Sequence, residues 1–374
     1  MMGQRTLARP MAWLFAGLVA YASLYPFTGW RTQDGDFLAF LWAPWPRYWT
    51  AFDVFSNLVG YVPLGFFLAV TVLRTQGAHW RWMGALAFPS LLSLLMEALQ
   101  VYLPSRVPSN VDWLLNSAGG GLGALLGLLM HRAGLLSRWA RLRSNWFVPD
   151  AHGALLLLAL WPVALLYPAA VPLGLGQVLG MVEAWLATTL VHTQFAHWLP
   201  AAERVWVPLS PAMEALCVAL SLLVPSLLGY AVLKGSLRRV VHLSVLTFAG
   251  LMVSALSSAM TYGPLHAWVW LTPTVMVGGL LGVVGGLGAV VLSRRACVVW
   301  MLLALLVAMA LLNQAPPTPY LAESLDVWAQ GRFIRFHGLT QWLGWLWPYA
   351  VLWHGVGQAT SRSVPGGFDQ TTQA

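Results

Sequence analysis

LMEALQVYLPSRVPSNVDWLLNSAGGGLG, residues 95–123, sets Glu97, Gln100, Arg106, Asp112 and Asn116 between two runs that otherwise belong in hydrocarbon. Charged groups held near lipid cost about 2.5–3.5 kcal/mol each at the centre of a bilayer, so by default they mark a functional site. The stretch has a counterpart upstream. DVFSNLVGYVPLG, residues 53–65, repeats the order Asp, three residues, Asn, two residues, Gly that recurs from Asp112 to Gly119.

The rest of the chain has the composition such a stretch requires. Of its 374 residues 59% are hydrophobic and only 9% are charged, against about 25% charged in soluble domains. Long apolar runs with so few charges are transmembrane helices. The 22 tryptophans suit a chain with many helix ends at the headgroup level. The fold class is therefore all-α, a polytopic integral membrane protein.

The net charge of +8 does not point to nucleic acid. The basic residues sit in short loops between apolar runs, as cytoplasmic loops facing anionic headgroups do. Cys217 and Cys297 fall in different apolar runs with no metal-ligand spacing, and read as small packing residues.

Apolar runs place spans at about 11–27, 54–73, 83–102, 112–130, 153–171, 213–233, 240–260, 273–292, 296–312 and 339–356. Arg132, Arg138, Arg141 and Arg143 give the strongest cytoplasmic signal. Segment 172–212 is apolar but holds Glu183, His192, Gln194 and His197. A single crossing there would put Lys234, Arg238, Arg239, Arg294 and Arg295 outside, so it reads as an interfacial amphipathic helix on the outer face. About ten spans with cytoplasmic N and C termini follow. The expected organisation is a four-helix module over 1–132, a basic cytoplasmic linker over 133–150 and a six-helix extension over 151–374.

Asp53 and Asn57 lie one turn apart on one helix face, as do Asp112 and Asn116. Glu97 and Gln100 share a face as the third span nears the same surface, and Arg106 lies in the connecting turn. All seven side chains are thus expected at one depth beneath the outer face. Gly60, Gly119 and the helix-breaking Pro63 would ease close packing of the two repeat units. Parallel repeats often form a site at their junction. The bland alternative makes Asp53 and Asp112 N-caps, Asn57 and Asn116 interhelical bonds, and Glu97 with Arg106 a structural ion pair.

Other features carry less. His192 and His197 are five apart, which misaligns them on a helix. Glu214 reads as a dipole-matched first-turn acid. The glycines of 278–288 lack the Lys, Ser or Thr of a phosphate loop and read as packing. Arg332, Arg335 and His337 form a basic aromatic patch suited to interfacial anchoring.

Asp53, Asn57 and Pro63–Leu64–Gly65, then the spacing E-x2-Q-x5-R-x5-D-x3-N-x2-G from Glu97 to Gly119, resemble the VanZ-like family of membrane proteins. The family is named for a teicoplanin-resistance accessory protein. The resemblance covers about 11–132. It implies a multi-pass protein of the bacterial inner (plasma) membrane linked to the cell envelope and, in a few members, low-level glycopeptide resistance. It carries over no catalytic role.

Three functions remain open. The first is a non-catalytic envelope protein that binds an anionic lipid or a lipid-linked wall precursor at an outer pocket of Asp53, Asn57, Glu97, Gln100, Arg106, Asp112 and Asn116. Arg106 would contact phosphate or carboxylate. The second is a transporter or lipid flippase titrating Glu97 or Asp112. The third is an intramembrane enzyme acting on a lipid headgroup, with Glu97 or Asp112 as general base. The sequence offers it no nucleophile motif, Cys–His pair, metal set or cofactor motif.

Overall fold

The computed structural model describes residues 8–25, 27, 29–32, 36–45, 51–74, 79–195, 207–316 and 334–360. His197 and Arg332 lie outside the described residues, as do Trp328 and Phe333, the aromatic members of the basic patch, and the side chains of Arg335 and His337. The chain divides into two compact units, 1–143 and 144–374. Both are helical, and among the described residues the only β pairing is an isolated antiparallel bridge between Phe147 and Leu233.

Unit 1 contains α1 (Ala8–Leu24), α2 (Ala51–Arg74), α3 (His79–Gln100) and α4 (Asn110–Arg132), with α5 (Leu135–Trp146) leading out of it. α2 and α4 are laid directly on one another. A Cβ at Gly119 would strike the carbonyl of Leu58, one at Gly123 the carbonyl of Val62, and one at Gly127 would press on Ala69. Both numbers of each pair rise together, so the two helices run parallel. Glycine every fourth residue on α4 makes the groove into which the α2 backbone fits. Gly60 takes no part, for none of the described residues stands within 4 Å of its missing Cβ. The expectation that it eases the packing fails, and Gly65 does so instead against Gly120. A buried cluster of Ala12, Ala16, Val19, Tyr61, Leu64 and Met96 joins α1, α2 and α3.

Unit 2 contains α6 (His152–Ala164), α7 (Leu179–Leu190), α8 (Pro211–Val232), α9 (Ser236–Tyr262), α10 (Pro273–Gly288), α11 (Arg294–Leu312) and α12 (Ile334–Thr360). α8 is its axis: 83% of its most apolar window is buried, against 28–39% for α9, α10 and α11. Trp161, Leu228, Tyr230, Met301, Trp347 and Val351 fill the surrounding core. Gly278 and Gly282 seat α10 on Ala215 and Ala219 of α8, again in parallel, so those glycines serve packing as the sequence suggests. Cys217 and Cys297 are free and buried.

Among the described residues seven helices, α2, α3, α4, α8, α9, α10 and α11, are long and apolar enough to cross a membrane by length and composition. Large apolar side chains such as Leu122, Leu126, Phe248, Leu280 and Val284 point outward from them. The other three expected spans fall on α1 (17 residues), α6 (13 residues) and α12 (27 residues), which are not among the seven. α6 ends well before residue 171. Pro162 withholds one amide, and the amides of Leu166 and Tyr167 turn back three residues to Val163 and Ala164. Thirteen residues rise only about 20 Å, less than a hydrocarbon core of about 30 Å. Segment 172–212 does contain a helix, the twelve-residue α7, with Met181, Val182 and Trp185 exposed.

Candidate functional site

The four helices of unit 1 bring the C-terminal ends of α1 and α3 and the N-terminal ends of α2 and α4 to one end of the module. The turn from α3 to α4 makes that end. The amides of Tyr102, Leu103 and Arg106 each bond three residues back, to Leu99, Gln100 and Leu103, and Leu103 is fully buried. Ser109 then caps α4, its hydroxyl accepting the amide of Asp112 at 3.3 Å. Asp112 is therefore not the cap but the third helical residue, the acidic position of a capping box.

The seven side chains singled out by sequence occupy this end in three groups. Asp53, Asn57 and Asp112 form the first. Asp53 is exposed in the first turn of α2, and Asn57 and Asp112 are half-buried. The Asn57 side chain lies beside the Asp112 carboxylate, which is also in the field of Asp53. Two carboxylates near one amide, each in the first turn of a helix, make a rim rich in hydrogen-bond acceptors.

Glu97 and Asn116 form the second group with two residues that the sequence did not single out, Ser93 and Tyr61. Glu97 is 3% exposed and accepts the amide of Ser109 at 2.9 Å. Asn116 donates Nδ2 to Ser93 Oγ at 2.9 Å, while its buried Oδ1 has no partner among the described residues. The Tyr61 hydroxyl lies beside Ser93 and near Glu97 without a well-formed hydrogen bond of its own. Ser93 stands one turn before Glu97 and Tyr61 one turn after Asn57. That spacing was available in the sequence, but hydroxyls are unremarkable in apolar helices.

Gln100 and Arg106 form the third group, and both turn to the frayed end of α1. Gln100 Nε2 donates to Ser23 O at 3.1 Å; Arg106 Nη2 donates to Tyr25 O at 2.6 Å and Ala22 O at 3.4 Å. These are the last carbonyls of a helix, which lack intrahelical donors and attract a cation. Arg106 Nε is buried without a partner among the described residues. Asn110 does similar service for the loop before α2, donating to Ala43 O at 2.7 Å.

The three groups share one end of the module but not one set of contacts. Ser109 links the first two, through its amide to Glu97 and its hydroxyl to the amide of Asp112.

Residues 8–131 match the model of the VanZ/LLP1 family. The match begins at the first residue of α1 and ends one residue short of the end of α4, so it covers the four helices that build the site. No curated protein and no solved structure matches the chain. With its seven apolar helices, the chain is a membrane protein carrying a VanZ-like module.

Proposed function

We propose that this VanZ-like module holds the headgroup of a lipid-linked envelope precursor, or of an anionic lipid, at the end where α2 and α4 begin, in the inner membrane of a bacterium. The observation that carries the reading is the gathering of Asn57 and Asp53 about the Asp112 carboxylate on an open rim. Two carboxylates there call for donors: sugar hydroxyls, peptide amides or an ammonium group. A wall precursor carries all of these beside its phosphates, whereas a simple anionic lipid carries few. Arg106 supplies positive charge to the same end while fixing α1, and favours a phosphate near that side. Any effect on glycopeptide susceptibility would follow from withholding the precursor.

Native mass spectrometry of the purified protein with a synthetic polyprenyl-linked disaccharide-peptide tests this. Wild-type protein should retain the precursor, and Asp53→Asn with Asp112→Asn should lower retention about tenfold, the loss of one or two charge-assisted bonds. Retention unchanged in the double variant would overturn the assignment.

One observation favours a second reading, transport or flipping with Glu97 as a proton site. The Tyr61 hydroxyl, near Glu97, and Asn116 Oδ1 in the same group are buried without partners among the described residues, polar atoms that a water or a moving proton could use. Proton-driven lipid flux in proteoliposomes should then vanish in Glu97→Gln. Flux that ignores both the gradient and this substitution would end it.

A further inference from the structure

α5 has the sequence LLSRWARLRSNW and no buried residue. Its neighbours in the chain say where it must lie. α4, one of the seven apolar helices, ends at Arg132, and only Ala133 and Gly134 precede α5. Gly134 adopts a φ of +69°, which turns the chain sharply at little steric cost. Two residues reach at most about 7 Å, so α5 starts where α4 leaves the bilayer.

The other end of α5 is tied down within unit 2. Lys234, in the turn between α8 and α9, donates Nζ to Ser144 O at 2.7 Å and its amide to Trp146 O at 2.8 Å. Arg238 donates to Asn145 O and lies over the Trp146 ring at 5.6 Å. Two cations on the last carbonyls fix the helix end. α8 and α9 are themselves apolar helices of spanning length. The twelve residues of α5 rise only about 18 Å, too short to cross.

The side chains match a membrane surface. Leu135, Trp139, Leu142 and Trp146 follow at i, i+4, i+7 and i+11 and share one face. The first three are 40%, 59% and 47% exposed. Arg138 and Arg143 flank that face and Arg141 lies behind Arg138, so the cations border the apolar strip instead of interrupting it. We propose that α5 is an interfacial helix that binds an anionic phospholipid surface. Leu135, Trp139 and Leu142 enter the acyl region, and Arg138, Arg141 and Arg143 hold headgroup phosphates. Indole at the headgroup level and guanidinium on phosphate are the expected partners for these groups. This surface is separate from the acceptor rim of the VanZ-like module and does not depend on it.

The test uses the full chain in nanodiscs of phosphatidylcholine, alone or with a quarter share of phosphatidylglycerol. Spin labels go on Leu135→Cys, Ser137→Cys, Trp139→Cys, Arg141→Cys and Leu142→Cys, in a Cys217→Ala/Cys297→Ala background. Labels at 135, 139 and 142 should relax with dissolved oxygen, and those at 137 and 141 with a water-soluble nickel chelate. All five relaxing with nickel would place the helix in water and overturn the proposal. Shielding of 135, 139 and 142 from both reagents would mean that protein covers the face, with the same result. The variant Arg138→Gln/Arg141→Gln/Arg143→Gln should lower co-purified phosphatidylglycerol, counted by lipid mass spectrometry, by about tenfold or more. An unchanged lipid ratio would remove the anionic part of the assignment.

Discussion

α2 with α4 and α8 with α10 are the same device built twice. In each unit two parallel helices are joined through an antiparallel third, and glycines four apart on the later helix admit the backbone of the earlier one: Gly119 and Gly123 on Leu58 and Val62, Gly278 and Gly282 on Ala215 and Ala219. The polar side chains then go to opposite ends. In unit 1 they gather where the pair begins. In unit 2 the third residue after the cap of α10 is the buried Val275, and the polar centre is Arg239, where the pair ends. Arg239 donates to Val290 O and Leu292 O at 2.7 Å and to Tyr230 O at 2.8 Å. Close packing makes the frame, and the charge at each end follows the helix dipole, acid at N-termini and base at C-termini. What separates the two is exposure. Arg239 is 8% exposed with both terminal nitrogens on carbonyls, whereas Asp53 is exposed and Asp112 half-buried. The second pair uses its charge to hold itself together; the first keeps acceptors at the surface.

That contrast is most sharply tested by removing the arginines. Arg239→Met leaves three carbonyls in a dry interior without donors, at about 1–3 kcal/mol for each unsatisfied group. The largest stability loss of any variant considered should follow, about 3 kcal/mol or more, seen as early melting in detergent. Arg106→Met removes donors from two carbonyls at a wetter position and should cost about 1–2 kcal/mol. If Arg106→Met proves the more damaging, the distinction between a sealed and an open end is wrong.

The next effect concerns the frame itself. Gly123→Leu drives a side chain into the carbonyl of Val62, a backbone atom that cannot step aside. About 2–3 kcal/mol should be lost as α2 and α4 separate. Gly60→Leu meets open space and should be neutral or slightly stabilising through helix propensity. Size-exclusion profiles after a heating series would rank the two. Equal behaviour would mean that the helices do not touch along the stated register.

The same register explains how far sequence reasoning reached. Acids and amides inside apolar runs are costly, so Asp53, Glu97, Asp112 and Asn116 stood out as candidates, and the repeat announced a parallel pair. The repeat has an offset of 112 − 53 = 59, however, while the packing has 119 − 58 = 61. The two copies therefore meet out of step. Asn57 reaches Asp112, but Asn116 turns away to Ser93. Only coordinates reveal a slip of two residues. Gln100 and Arg106 looked like ligands because their partners, the carbonyls of Ser23, Ala22 and Tyr25, have no side-chain signature. The stretch after Arg132 read as a basic linker on its arginines, and the helical spacing of Leu135, Trp139 and Leu142 beside them went unused.

The smallest effect separates function from stability most cleanly. Ser109 and Thr272 cap the later helix of each pair in the same manner, accepting the amides of Asp112 and Val275 at 3.3 Å. Replacing either with alanine should cost about 1 kcal/mol, and melting curves should not tell the two variants apart. Their sites differ, though. In unit 1 the capped amide belongs to a rim residue, and the cap's own amide is held by Glu97, so a loosened first turn moves Asp112 relative to Asn57. In unit 2 the capped residue is a buried valine with nothing to present. Ser109→Ala should therefore weaken precursor retention by a few-fold while Thr272→Ala leaves it untouched. Equal retention in the two variants would show that the first turn of α4 does not shape the rim, and that the acceptors there answer to the helix packing alone.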